Sequence, residues 1–290
     1  MNKSLFLIRN IGRKFYNSLI HPENFLFYLK AYIVSPLKEN EHTDAYIVSY
    51  PKCGRTWLRV MYVRYMQLAY NLPSLSPDLM EKHKEIPNVN FTHDQGGWVP
   101  APVHFSKIRP PGFKYYDRPV IFIVRDPRDV LISSYMHLRY RENLFAKSIS
   151  EFIRDEYVGV VKIIHFYNEW VKVLDKNHKA FFLTYEDMHE SPVQQLAKVL
   201  QTIGLAYIDR AALESAVEFS RFDNMKKMEK NNQWDIPWLQ AGKTDDERSY
   251  KTRQGKVGEY RNVLNNQDID FLDQCINEKL SEYYQAYRNE

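Results

Sequence analysis

Apolar positions along this chain fall into short unbroken runs, separated by longer stretches in which they recur at helical spacing. The first strong run is Ala45-Tyr46-Ile47-Val48-Ser49-Tyr50. A tight polar turn from Pro51 to Thr56 follows, and then a helix-like stretch from Trp57 to Val63. Strand, turn and helix in that order open an α/β unit. Val89-Asn90-Phe91-Thr92-His93 is a second strand candidate. Val120-Ile121-Phe122-Ile123-Val124 is a third, and its unbroken apolar character is that of a parallel strand buried on both faces. Ala180-Phe181-Phe182-Leu183-Thr184 is a fourth.

Helix signals fall between these runs. Asp126 suits an N-cap, Pro127 the first helical position and Asp129 the third, where an acid can reach back. That helix is expected to run to about Tyr140. A long helix is predicted from Ser150 to Leu174, another from Pro192 through Leu200, and a last one striped by Ile269, Leu272, Ile276 and Leu280. Residues 241–252 are polar and read as a loop. Strands alternating with helices predict an α/β fold: a single domain with a central parallel sheet flanked by helices. Residues 1–40 read as an N-terminal helical extension and residues 41–290 as the domain proper.

Composition narrows the picture. A chain of 290 residues, 44% hydrophobic and 14% aromatic, can bury one large core, and no Pro, Gly or Ser tract divides it. The net charge of +4 is too mild to argue for a nucleic-acid partner, but it allows a local basic pocket for a small anion. Cys53 and Cys275 are too few for a disulfide framework, so a reducing, cytoplasmic setting is expected. Residues 1–20 carry Lys3, Arg9, Arg13 and Lys14 without an acid, and Leu5, Ile8, Ile11, Phe15 and Leu19 recur at helical spacing. Arg9 interrupts the apolar run from Leu5 to Ile8, which is too short for a signal sequence or a transmembrane span. The segment reads as a surface helix packed on the domain. The other reading, peripheral contact with a membrane surface, is disfavoured by its narrow apolar face and few basic residues.

Two segments carry candidate chemistry. In YPKCGRTW a strand ends in a small turn that opens a helix, which presents backbone N–H groups and the positive end of a helix dipole to a phosphate. Gly54 lets the backbone come close, Thr56 adds a hydroxyl, Lys52 and Arg55 add charge, and Trp57 offers a ring face to a base. An ordinary strand–turn–helix with a solvated lysine and a core tryptophan would look the same. The turn is P-loop-like without being a Walker A motif, since its Lys precedes its Gly. In VRDPRDVLISSY, Arg125 stands at a strand end, where ligands of open α/β sheets bind. Ser133 lies two turns into the next helix, on the face of Asp126. The pair could clamp a second phosphate. Alternatively, Asp129 neutralises the Arg and the Ser bonds within its own helix.

Taken together, YPKCGRTW resembles the 5′-phosphosulfate loop of the cytosolic-type sulfotransferases, and VRDPRDVLISSY resembles their 3′-phosphate segment. LTYEDM at 183–188, SRFDNMKK at 220–227 and RQGKVGEY at 253–260 resemble further family segments in the same order. The resemblance spans roughly residues 45–265. It implies a metal-independent enzyme of the sulfotransferase domain that moves a sulfuryl group from 3′-phosphoadenosine 5′-phosphosulfate (PAPS) to a hydroxyl, or an amine, of a small-molecule acceptor, releasing PAP. It implies donor contacts from Lys52, Cys53, Gly54, Arg55, Thr56 and Trp57 at the 5′ end. It implies others from Arg125, Ser133, Arg253, Gln254 and Gly255 at the 3′ end. Tyr185 would bond the adenine, with Trp57 and Phe222 on either face of it. The family's base is a strand-end His, which VNFTHD supplies as His93, while Lys52 would neutralise charge on the departing oxygen. Eight other histidines compete for that role, among them His83, His104, His137 and His165. Asp94 reads as a turn residue.

Departures from the family pattern are also legible. Arg55 stands where Thr is frequent. Cys53 stands where Ser or Ala is usual, as a small filler or as a thiol activated by the helix terminus. Tyr260 replaces a Trp, and the family's dimerisation pattern is not met after Arg261, which leaves the oligomeric state open. Residues 94–118 and 231–250 are expected to wall the acceptor site, with Trp98, Phe105, Tyr115, Trp234 and Trp238 as candidate lining. Asp245-Asp246-Glu247 is either a solvated loop or an attraction for a cationic acceptor. A magnesium-dependent P-loop phosphotransferase and a nucleotide-binding module without chemistry are the alternatives. The first lacks its Walker pattern, and the second does not need Lys52 and His93 together.

Overall fold

A computed structural model describes residues 43–74, 83–98, 103–231, 239 and 246–288. The extension over residues 1–40, together with Trp234, Trp238 and Asp245, lies outside the described residues. Four strands form one sheet in the order β2-β1-β3-β4: β1 (Ala45–Ser49), β2 (Val89–Thr92), β3 (Val120–Val124) and β4 (Ala180–Thr184). Every pairing is parallel, with Ile47 opposite Phe91 on one side and Ile121 on the other. The two central strands, β1 and β3, are buried along their whole length, as their unbroken apolar runs predict.

Helices cover both faces. They are α1 (Arg55–Ala69), α2 (Pro127–Met136), α3 (Ile149–Arg154), α4 (Val160–Lys176), α5 (Tyr185–Glu190), α6 (Pro192–Thr202), α7 (Arg210–Phe219), α8 (Phe222–Asn231), α9 (Tyr260–Val263) and α10 (Asn266–Lys279). On α4 the rings of Phe166, Tyr167 and Trp170 meet β3, where Trp170 stacks on Phe122 at 4.9 Å. Asp126 and Pro127 start α2 as expected, and the Asp126 side chain accepts from the Arg128 N–H. Beyond Met136 the helix widens into one π-turn, His137–Arg141.

The single long helix expected from Ser150 is two helices. Asp155 takes the Tyr157 and Val158 N–H groups at 2.7 and 3.1 Å, ending the first. At Gly159 a Cβ would lie 2.5 Å from the Asp155 carbonyl oxygen, so the chain turns there on a residue without one.

The chain leaves β1 for β2 on one side and β3 on the other, so the sheet's switch point lies between β1 and β3. Ligands of open α/β sheets bind outside the carboxyl ends of strands at such a point. The turn after β1 and the residue after β3 are therefore the two best-placed segments of the fold.

Candidate active site

The turn after β1 is held in an unusual conformation. Lys52 and Gly54 both have left-handed backbone, with φ of 73° and 93°. A lysine in that region is strained and persists only where its surroundings impose it. α1 has neither a capping side chain nor an acid in its first turn, so its leading N–H groups are available to an oxyanion. A Cβ on Gly54 would sit 2.6 Å from Cδ2 of Tyr185. Gly54→Ala is therefore expected to cost about 1–3 kcal/mol of stability and to push Tyr185 from its place. Thermal unfolding and a PAP titration check this, and an unchanged Tm with unchanged affinity would contradict it.

The environment makes Cys53 a filler. Its thiol is fully buried, lies 3.2 Å from the Tyr167 hydroxyl, and is pushed up by burial to about 12. The activated thiol allowed by the sequence is not formed. Arg55 is different: burial pushes its guanidinium down to about 9, and its Nη1 is buried without a hydrogen-bond partner. Thr56 follows, half-buried, in the first turn of α1. The Trp57 ring lies 4.8 Å from His189 and meets Tyr185 edge-on at 5.9 Å.

Arg125 closes the other side. It is 6% exposed, and its guanidinium lies over the Tyr185 ring at 4.2 Å. It donates to the carbonyl oxygens of Lys256 at 2.8 Å and Lys52 at 3.4 Å, while its Nε is buried with no partner. The turn after β1 and the end of β3 thus share one cleft. Asp129 pairs with Arg125 at 3.4 Å, but it does not reach back within its own helix. Instead it accepts from the Gly258 and Tyr260 N–H groups at 2.7 and 3.0 Å, tying the late glycine stretch to α2. Arg253 in that stretch pairs with Glu259 at 2.7 Å, and Gln254 is exposed. Gly255 has φ 63°, and a Cβ there would lie 2.4 Å from the ring of Phe222, so the ring rests on bare backbone. Ser133 is half-buried two turns into α2.

His93 follows β2. Its Nδ1 is 2.9 Å from the Ser49 carbonyl oxygen. A carbonyl only accepts, so the proton sits on Nδ1 and the lone pair of Nε2 is free to act as a base. Burial, then the charge of Arg55, holds this imidazole well below its ordinary range, so it is neutral at physiological pH. Burial, then Lys251, pushes the Lys52 ammonium down to about 7. Among the described residues no carboxylate forms an ion pair with Lys52 or Arg55.

The rival histidines separate. His104 bonds Glu156 at 2.9 Å, His165 faces the Ile108 carbonyl at 3.3 Å, and His83 stands 4.0 Å from Glu85. His137 is the exception. Burial, then the charge of Lys52, pulls its imidazole down, and His93 acts on it too. Asp94 is a turn residue with φ 45°. Tyr115 takes the core reading: it is buried and packed at 4.9 Å on Trp170. Phe105 is half-buried beside His104 and His165. Asp246 pairs with Arg248 at 2.9 Å and Glu247 with Lys226 at 2.8 Å, so these acids are engaged within the protein.

Four contributors escaped the sequence reading. The Tyr167 hydroxyl donates to the Arg125 carbonyl at 2.9 Å and accepts from the Arg125 N–H at 3.1 Å, while also meeting Cys53. Glu229, fully buried, accepts from the N–H groups of Lys251 and Thr252 at 2.8 and 2.9 Å and pairs with Arg141 at 3.2 Å. That anchoring presents Lys251 to the cleft, where burial, then Arg141, pushes its ammonium down to about 8. The signal available for Glu229 was an acid inside the basic run of α8, KKMEK. A Gly-Lys-Thr triplet, Gly242-Lys243-Thr244, also occurs, with Pro237 where a Walker pattern needs its first glycine; it lies outside the described residues.

The profile of the family described as the sulfotransferase domain matches residues 42–284. The chain belongs to that family. A flavonol 3-sulfotransferase of Flaveria bidentis is 25% identical over 256 residues, covering 82% of this chain and 81% of that protein. Cytosolic sulfotransferase 1 of Arabidopsis thaliana is 24% identical, covering 83% and 79%. Rat sulfotransferase 1E1 is 25% identical, covering 84% and 83%. Mouse sulfotransferase SULT7A1, solved with PAP, shares the fold at a TM-score of 0.60 and 22% identity, covering 86% of this sulfotransferase and 89% of that chain. Retinol dehydratase, solved with androsterone and PAP, shares it at 0.57 and 18%, covering 88% and 85%. Among the described residues of this sulfotransferase, no helix is long and apolar enough to cross a membrane.

Proposed function

We propose that this sulfotransferase binds PAPS across the cleft between β1 and β3 and passes its sulfuryl group to a hydroxyl of a small acceptor, with His93 as base. The observation that carries the reading is an excess of buried, unanswered donors. Nη1 of Arg55 and Nε of Arg125 are buried without partners on the two sides of one cleft, next to the open N-terminus of α1. Buried donors in native proteins nearly always have acceptors, and phosphate and sulfate oxygens supply them here. The 5′-phosphosulfate sits on Lys52, Gly54, Arg55 and Thr56, and the 3′-phosphate on Arg125, Ser133 and the stretch from Arg253 to Gly255. The adenine lies between Trp57 and Phe222, beside Tyr185. Amine acceptors fit the same chemistry.

The reaction is an in-line displacement. The acceptor oxygen bonds to sulfur while the bond from sulfur to the bridging phosphate oxygen breaks. Nε2 of His93 takes the hydroxyl proton, and the electron pair of the broken bond stays on PAP, where Lys52 neutralises it. Fixed cations at that oxygen need no reorganisation as its charge grows. Transfer of sulfur-labelled sulfuryl from PAPS, run with and without a chelator, tests this. Equal transfer in both is expected, and transfer that collapses with chelator sinks the metal-independent step.

The charge of Lys52 also sets a pH dependence. In the free protein its ammonium is half lost at about pH 7, and only the charged form binds the phosphosulfate well. Because kcat/KM reports on the free enzyme, kcat/KM for PAPS is expected to fall as pH rises above about 7. A profile flat to pH 9 would contradict this assignment.

A further inference from the structure

Three side chains at the carboxyl edge of the sheet are more than nine-tenths buried and end in a polar atom with no hydrogen-bond partner: Tyr50 Oη, Trp98 Nε1 and Lys162 Nζ. Nδ1 of His137, whose side chain is 15% exposed and whose Nε2 lies 3.7 Å from Glu142, is also buried without a partner. No phosphate contact described above uses them.

They belong together. Tyr50 stands two residues before Lys52, and its ring meets Phe166 at 5.6 Å. Trp98 closes the turn that follows His93, and its ring lies 5.6 Å from His137. Its indole N–H approaches the Tyr50 oxygen, yet the pair falls short of hydrogen-bond geometry. Lys162 is in the first turn of α4. That helix leads into β4, parallel to the other strands, so it runs against the sheet and starts at the edge that bears Lys52 and Arg125. Phe166, one turn further on the same face, packs under both Tyr50 and Gly96. Phe166 thus brings Lys162, one turn before it, towards Tyr50 and the turn that carries Trp98, next to His93.

Lys162 decides the charge of what fits there. It has no exposed surface, and burial pushes its ammonium down to about 7. Asp155 is the one opposing charge acting on it, and Oδ1 of Asp155 is already bonded to the Tyr157 and Val158 N–H groups. A buried ammonium of this kind calls for an anion. The indole N–H and the phenol add two neutral donors, and a carboxylate can accept from all three.

We propose that the acceptor is a hydroxy acid, whose carboxylate docks among Tyr50, Trp98 and Lys162 while its hydroxyl faces His93. This rests on the PAPS reading above and names its acceptor class. An ester or amide of the same molecule leaves Lys162 without a counter-charge.

Calorimetry on the protein saturated with PAP tests this, using 4-hydroxyphenylacetate, 4-coumarate and lithocholate, each beside its methyl ester. At least one acid is expected to bind about 10- to 100-fold more tightly than its ester, as charged hydrogen bonds imply. Lys162→Met is expected to reduce that preference to near unity while PAP affinity holds. Trp98→Phe, which keeps the ring and removes the N–H, is expected to lower it several-fold. Equal binding of acid and ester in all three pairs overturns the proposal, as does a preference that survives both variants. PAP is titrated separately, so failure to bind PAP defeats the donor reading, and this proposal with it. Bound PAP without acid preference defeats the proposal alone.

Discussion

Exchanging His93 for Ala is expected to lower kcat by about 100- to 10,000-fold and to leave PAP affinity nearly unchanged. The split follows from geometry. His93 contacts the chain through Nδ1, bonded to the Ser49 carbonyl, and none of the groups assigned to the donor's phosphates hangs from it. Its removal takes away the proton acceptor and leaves the grip on the nucleotide in place. Single-turnover rates with PAPS, alongside a PAP titration, separate the two quantities. An active His93→Ala protein would rule this base out. His137→Ala is the companion measurement, because His137 is the other imidazole within electrostatic reach of Lys52. Loss of turnover there, with His93→Ala active, would transfer the role.

The second large effect is at Arg125. Its replacement by Ala is expected to weaken PAP binding about 10- to 100-fold, the range of charged hydrogen bonds. It is also expected to erase the preference for PAPS over adenosine 5′-phosphosulfate, which lacks the 3′-phosphate. Part of any loss would be structural, since Arg125 also bonds the carbonyls of Lys52 and Lys256. The preference ratio removes that part, because a loosened cleft weakens both nucleotides alike. A ratio unchanged in Arg125→Ala would mean that the 3′-phosphate is held elsewhere.

Much of the fold was legible because central parallel strands are buried on both faces. Such strands must be apolar throughout, and VIFIV at Val120–Val124 is the clearest case. The break after Arg154 was not legible. Apolar residues continue across it at helical spacing, and what stops the helix is a carboxylate, Asp155, turned onto its own backbone. The residues proposed to face the phosphates stood out because a strand, a short glycine turn and a helix lie next to one another in sequence. Tyr167 and Glu229 did not. Each acts on a partner far along the chain, 42 residues away for Tyr167 with Arg125 and 88 for Glu229 with Arg141, and local patterns carry no trace of such distances. The aromatics of residues 94–118 show the converse. Tyr115 and Trp98 lie in one segment and both are buried, yet one packs on Trp170 and the other beside His137.

The Tyr167 hydroxyl touches both the Cys53 thiol and the backbone of Arg125, and so pins the turn after β1 to the residue after β3 beyond the last paired residues of the two strands, Ser49 and Ile123. It works like the rivet of a caliper whose jaws are the glycine turn and the guanidinium. A caliper measures length. If the donor lies as proposed, nucleotides whose two anionic groups stand further apart or closer together, such as the 2′,5′-bisphosphate isomer, are expected to meet one jaw or the other but not both.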